Sequence, residues 1–276
     1  MVKSCVTISL VPSLCGGPWV YWEEPEVSIP KAKAAGFDAV ELFTASADAV
    51  DSDVLARLLD EHDMKLAAVG TGAGKVLHGL HLVSGDANVR QKARDFISGM
   101  IEFGACFGAP TIIGSMQGCV EDGVERKQAL AWLAEGLGEL RQKAAGCGVN
   151  LILEPLNRYE TNLINRLGDG VELIKSLGPR SAKCENMFLL ADLFHMNIEE
   201  ESIAATIREV GRHIGYVHFV DSNRRAAGMG HINLAEAAKA LSEIGYDGYA
   251  SAEALPYPNS DTAAAQTMAA FKKFFV

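Results

Sequence analysis

Glu154, Asp192, His218 and Glu253 each lie within or at the end of a short apolar run, and each can bind a cation or move a proton. Glu154 closes Leu151-Ile152-Leu153 and is followed by Pro155, which has no N–H with which to continue a central β-ladder. Asp192 closes Leu189-Leu190-Ala191, His218 lies within Tyr216–Val220, and Glu253 closes Tyr249-Ala250-Ser251-Ala252. Against such runs an ionised carboxylate is costly to bury unless it is paired or holds a cation. Three carboxylates and one imidazole converging on one rim call for a divalent metal to resolve their repulsion. Three oxygen donors and one nitrogen point to Mn²⁺ first, with Mg²⁺, Co²⁺ or Zn²⁺ as alternatives, rather than to a thiolate site. Singly, each residue has a plainer reading, because strand-end carboxylates also cap helices and strand histidines are commonly hydrogen-bonded core residues. Recurrence on four consecutive runs favours the metal.

The elements that must bring these residues together are legible as an alternation. Eight β-branched or apolar runs predict strands at Cys5–Leu10, Ala39–Phe43, Lys65–Val69, Thr111–Gly114, Val149–Glu154, Leu189–Asp192, Tyr216–Val220 and Tyr249–Glu253. Between them lie helical patterns, the clearest with Leu130, Leu133, Leu137 and Leu140 on one stripe and Glu135, Glu139 and Arg141 elsewhere. Others cover Glu24–Ala35, Val54–His62, Val89–Phe107, Val171–Leu177, Ile203–Val210, Leu234–Ile244 and Ala263–Phe275, one helix per gap. Gly36, Gly148 and Gly245 precede strands, where a helix C-terminus needs a residue tolerant of left-handed φ. Eight strand–helix units of roughly 34 residues predict an α/β fold, a single (β/α)8 TIM barrel spanning residues 1–276 with its active site at the C-terminal mouth of the strands. An open doubly wound sheet is the structural competitor.

Composition agrees with that architecture. With 49% apolar and 22% charged residues, the chain has enough apolar surface to offset its ordering entropy, which excludes the disordered classes. A net charge of −10 repels phosphate backbones and anionic membranes, so neither nucleic acid nor a membrane is an expected partner. Cys5, Cys15, Cys106, Cys119, Cys147 and Cys184 lack CxxC or CxxxC spacing, no signal peptide is evident and no run approaches a membrane span. Together these predict a cytoplasmic protein with free, mostly buried thiols.

The strings LILEPLNRYETN (151–162), LADLFHMNIEE (190–200), VHFVDSNR (217–224) and SAEAL (251–255) resemble the xylose-isomerase-like barrels, and in particular the ketose 3-epimerases. The first half of the chain matches only in its strand–helix rhythm. The resemblance implies that Glu154, Asp192, His218 and Glu253 are metal ligands and that Glu154 and Glu253 are also the acid/base pair. It further implies that Glu160, His195 and Arg224 hold sugar oxygens, and that the chain is a homodimer or homotetramer acting on a sugar. Independently, His195 follows Asp192 by three residues on what reads as a strand-end loop, and Arg224 offers a planar fork of donors. Asp221 stands where these epimerases often carry Glu, which bears on substrate choice, and His231 also departs from their pattern.

The expected reaction is proton transfer beside a carbonyl: C3 epimerisation of a ketose if the proton returns on the opposite face, aldose–ketose isomerisation if it returns to the neighbouring carbon. Hydroxypyruvate and inosose isomerases are further alternatives. An endonuclease IV-like repair enzyme would need histidines from the early strands, yet none precedes His62, and the third and fourth strand ends offer Gly70 and Ser115. A sugar-binding barrel without turnover would not require both acid/base carboxylates.

Other signals carry less. Gly70-Thr71-Gly72-Ala73-Gly74-Lys75 fails both the dinucleotide and P-loop templates and reads as a flexible mouth loop. Gly228 and Gly230 read as a mobile lid, and His78 and His81 as a solvated pair without a third ligand. Trp19 and Trp22 suit either a wall of the mouth or packing on a helix.

Overall fold

A computed structural model describes residues 1–178 and 186–276; Cys184 lies outside the described residues. Eight strands, all parallel, close in sequence order into a barrel: β1 (Lys3–Ser9), β2 (Ala39–Phe43), β3 (Lys65–Gly70), β4 (Thr111–Ile113), β5 (Leu151–Leu153), β6 (Met187–Asp192), β7 (Ile214–His218) and β8 (Tyr249–Ala252). Every predicted strand is present, Ala39–Phe43 with the ends predicted and the others shifted at one or both ends, and the open doubly wound alternative is excluded by the pairing of β1 with β8. β7 begins two residues early and stops at His218, where Val217 and His218 pair with Ala250 and Ser251 of β8 before the chain leaves the sheet.

The crossover helices are α1 (Pro25–Ala35), α2 (Ser52–Glu61), α3 (Ala73–His78), α4 (Ala87–Ala105), α5 (Arg126–Gly146), α6 (Leu167–Ser176), α7 (Leu193–Glu199), α8 (Ile203–Val210) and α9 (Leu234–Glu243), and α10 (Ser260–Phe275) follows β8. One helix per gap is therefore corrected: the β3–β4 and β6–β7 gaps each hold two. The glycine run after β3 is the entry to α3, with Gly74 packed against Met116 and Phe96, so it is not a flexible loop. Gly36, Gly148 and Gly245 all adopt positive φ, as their positions require.

Two apolar layers hold the fold. Inside the barrel, Cys5, Ala39, Ala67, Ala68, Ile112, Ile152, Leu190 and Tyr216 fill the lower core, while a larger shell joins the strands' outer faces to the helices. In α5, Leu133, Leu137 and Leu140 are buried and Leu130 packs at the edge. Arg141 departs from expectation: it is buried, its stem lying on the apolar face and its Nη2 donating to the Leu177 carbonyl at 3.1 Å. The thiols also depart, because Cys15 and Cys106 are exposed and Cys119 and Cys147 half-buried; only Cys5 among the described cysteines is buried. Burial, reinforced by the charge of Glu41, pushes the Cys5 thiol up to about 12, so it is an inert packing group.

Candidate metal and active site

The four strand-end residues meet. Glu154, Asp192, His218 and Glu253 each offer one donor atom, and those atoms lie within 4.8 Å of one another at the C-terminal mouth. Each arrives by a local device. Glu154 follows β5 and its N–H still donates to the Ile113 carbonyl at 3.0 Å, after which Pro155 ends the ladder. Asp192 ends β6 and is also the N-cap of α7, its Oδ1 accepting from the N–H groups of Phe194 (2.7 Å) and His195 (3.3 Å). That leaves Oδ2 facing His218 Nδ1 at 3.2 Å. The capping and ligand readings of Asp192 are thus compatible, one oxygen for each. His218 is the register partner of Asp192 on β7, and Glu253 follows β8.

His195 lies on α7, not on a loop, and is buried; its Nδ1 accepts from the Asn157 backbone N–H at 3.2 Å and the side-chain Nδ2 at 2.7 Å. This network assigns the ring proton to Nε2, which has no hydrogen-bond partner and stands 3.6 Å from Asp192 and 3.8 Å from Glu154. Glu154 Oε1 is likewise buried without a hydrogen-bond partner. Two buried polar atoms left open toward the cluster, one a carboxylate oxygen, are what a site for a cation and an oxygen-rich ligand leaves exposed to fill. The donor set fits a divalent metal.

Arg224 is not a solvated surface charge. Held at φ +56°, it donates from Nη2 to Glu253 at 2.7 Å and from Nη1 to Glu160 at 3.1 Å, with its guanidinium 4.9 Å from the centre of the Phe194 ring. Glu160 also accepts from Asn157 Nδ2 at 2.9 Å. Arg224, Glu160 and Glu253 border a pocket of about 180 Å³ whose other walls include Trp19, Phe43, Val76, Ile112 and Leu156. Trp19 lines the pocket and packs on Phe43 of β2 at 4.2 Å and on Trp22 at 5.5 Å, so of the two roles open to it the wall of the mouth is the one these contacts support.

Asp221 is absent from that lining. Buried, it accepts from the N–H groups of Ser222 (2.8 Å), Ile232 (3.1 Å) and Gly228 (2.8 Å), closing the 221–232 loop on itself. The Gly228–Gly230 segment is therefore pinned rather than a free lid, and His231 sits at its exposed end on Ser222 Oγ at 2.9 Å. His81 is also no solvated group, since its Nε2 lies 3.0 Å from Glu121, whereas His78 is exposed.

Sequence reasoning missed three contributors. Glu41, in the middle of fully buried β2, lines the pocket and reaches His218; its signal was a lone carboxylate in Ala39-Val40-Glu41-Leu42-Phe43. Asn157 carries no sequence signal beyond the string it sits in. Gly114 lines the pocket beside Glu154 and is invisible as a chemical residue.

The electrostatics follow from burial among like charges. Burial pushes Glu253 up; His218 and Arg224 oppose this, Glu154 and Asp192 add to it, and its pKa comes to about 7. Burial would raise Asp192 too, but His195, His218 and Arg224 hold it well below the ordinary carboxylate range. Burial pulls His218 down, yet the charges of Glu41 and Glu253, the hydrogen bond to Asp192 and the neighbouring Glu154 carboxylate carry it well above the ordinary histidine value. Without a cation, then, His218 is protonated at neutral pH and Glu253 partly so, and both protons compete with a metal. Mn²⁺ binding is expected to release about one proton or more per cation at pH 7, with affinity rising as pH rises. Titration calorimetry in buffers of different ionisation enthalpy checks this; heats independent of buffer would contradict it.

Fold and site together define a TIM barrel with a carboxylate–imidazole centre suited to a divalent cation. The chain belongs to the xylose isomerase-like TIM barrel family, whose family model matches residues 29–274. It is similar to a D-psicose 3-epimerase of Ruminiclostridium cellulolyticum, 30% identical over 244 residues that cover 83% of this chain and 80% of the relative. A D-psicose 3-epimerase of Agrobacterium fabrum is 30% identical over 241 residues, covering 83% and 80%. In fold it matches the crystal structure of a D-allulose 3-epimerase from Methylomonas sp. in complex with D-allulose, with a TM-score of 0.84 at 22% identity over 99% of this chain and 97% of that one.

Proposed function

We propose that this chain is a divalent-metal-dependent sugar epimerase that inverts C3 of a free ketose, working as one catalytic domain over residues 1–276. The reading rests on one observation above all: two carboxylates, Glu154 and Glu253, share a donor cluster with Asp192 and His218 at a pocket with space beside it. Relatives of the same family named as D-psicose 3-epimerases support the substrate class. Mn²⁺ is the proposed cation, since hard oxygen donors outnumber the single nitrogen and no thiolate is among them.

Bound there, the cation would stabilise negative charge on two adjacent sugar oxygens as a Lewis acid. The chain's own groups do the rest. One of Glu154 and Glu253 takes the C3 proton and the other returns one on the opposite face, so that configuration inverts. His195 donates from Nε2–H to a sugar oxygen, and Arg224 and Glu160 hold hydroxyls at the rim. Arg224 is the only Lys or Arg lining the pocket among the described residues, and it is committed to Glu253 and Glu160, which favours a free sugar over a phosphorylated one.

We further propose a cytoplasmic homodimer or homotetramer with no nucleic-acid partner. Exposed Cys15 and Cys106 suit a reducing compartment, and the net charge of −10 disfavours phosphate backbones. Among the described residues no helix is long and apolar enough to cross a membrane.

The test is incubation of the Mn²⁺-loaded protein with a panel of free ketoses in deuterated water, followed by NMR. Deuterium at C3 with an epimer is the expected result. Label at C1 with an aldose would instead mark an aldose–ketose isomerase, and an inert panel would remove ketoses as the substrate class.

A further inference from the structure

We propose that Glu41 is a positioning residue for His218: by accepting from Nε2–H it fixes the imidazole tautomer that leaves the Nδ1 lone pair open to the cation. This rests on reading His218 as a ligand. Glu41 is 4% exposed at the centre of β2, where an ionised carboxylate is costly, and no step of the proposed reaction uses it.

Its surroundings account for it. Glu41 Oε1 lies 3.3 Å from His218 Nε2, and Oε2 accepts from the Tyr216 hydroxyl at 3.0 Å. The other ring nitrogen of His218 faces the cluster: Nδ1 is 3.2 Å from Asp192 Oδ2, 3.4 Å from Glu154 Oε1 and 3.6 Å from Glu253 Oε2. The two nitrogens therefore have different tasks. A carboxylate beside Nε2 keeps a proton there, so when a cation takes the place of the proton on Nδ1, Nδ1 is the bare nitrogen the cation needs.

Tyr216 makes the arrangement stiff. Its ring stands edge-on to the His218 ring with centroids 5.9 Å apart, and its hydroxyl contacts Cys5 Sγ at 3.6 Å as well as Glu41. Tyr216 and Cys5 belong to the packed interior of the barrel, so the chain from Cys5 through Tyr216 and Glu41 to His218 ties the orientation of the site to the core beneath it.

The test uses cation affinity and tautomer rather than turnover. Glu41→Ala is expected to weaken Mn²⁺ binding to the cation-free protein by about 10- to 100-fold, the usual effect of removing a group that orients a ligating histidine. Glu41→Gln keeps an oxygen that can accept from Nε2–H and should lose less, about tenfold or under. Tyr216→Phe, nearly isosteric, should weaken binding several-fold and serves if the alanine variant does not fold. In Zn²⁺-loaded protein with ¹⁵N-labelled histidine, His218 should carry its proton on Nε2 and the metal-shifted resonance on Nδ1. Unchanged Mn²⁺ affinity in folded Glu41→Ala, or in Tyr216→Phe where the alanine variant does not fold, or a metal-shifted Nε2, would overturn the assignment of Glu41 alone. Parent protein that binds no Mn²⁺ would overturn the ligand reading of His218, and this inference with it.

Discussion

Glu154→Gln and Glu253→Gln are each expected to lower kcat by about 10³-fold at saturating Mn²⁺, a loss of roughly 4 kcal/mol of transition-state stabilisation, while the barrel stays folded. The amide has nearly the carboxylate's shape but cannot take a proton at neutral pH, so proton transfer is removed and packing is not. Each position tolerates the change for a separate reason. Glu253 Oε2 accepts from Arg224 at 2.7 Å, a bond that the glutamine carbonyl can keep. Glu154 Oε1 has no hydrogen-bond partner to lose, and removing one charge from a cluster of three carboxylates relieves repulsion in the cation-free protein. Thermal unfolding within a few degrees of the parent, alongside measured Mn²⁺ binding, separates lost chemistry from lost structure. Near-normal turnover in either variant would remove that carboxylate from the acid/base role.

The second large effect comes from a residue with no side chain. A Cβ added at Gly114 would overlap Glu154 Oε2 far inside van der Waals contact and lie 3.5 Å from Glu154 Cδ, so the carboxylate must give way. Gly114→Ala is thus expected to cost about 10² in kcat/KM, the scale of penalty for moving a reacting group by about 1 Å. Gly138→Ala on α5, where an added Cβ meets nothing within 4 Å, is the matched control and should leave the kinetics unchanged. Equal activity of the two variants would show that Glu154 has room the structure does not display.

How much was legible beforehand varies with the range of the interaction. The strand–helix rhythm was read almost completely because apolar periodicity is a local property, written within each run of residues. Short helices escaped it: α3 and α7 are six and seven residues long, too brief to show a stripe. Asp192 was visible as a strand end, but that its two oxygens divide between capping α7 and facing His218 depends on the angle at which the helix leaves the strand. Asp221 stands out in the sequence as a departure from the resembling family, but that its carboxylate gathers three backbone N–H groups outside the pocket lining is decided by its loop.

Glu154, Asp192, His218 and Glu253 were marked out by sequence alone because a polar residue interrupting an apolar run is conspicuous without a third dimension. Their number and order on successive strands followed from the repeat, since parallel strands joined by crossovers all end at the same face. What only the tertiary structure decided is how those residues are held. Glu41 meets His218 across 177 residues of chain, Asn157 meets His195 across 38, and Gly114 makes room for a carboxylate on the next strand. Such pairings arise from the closure and stagger of the barrel, which place residues by their register between strands, and register is a property of the assembled sheet rather than of any one segment.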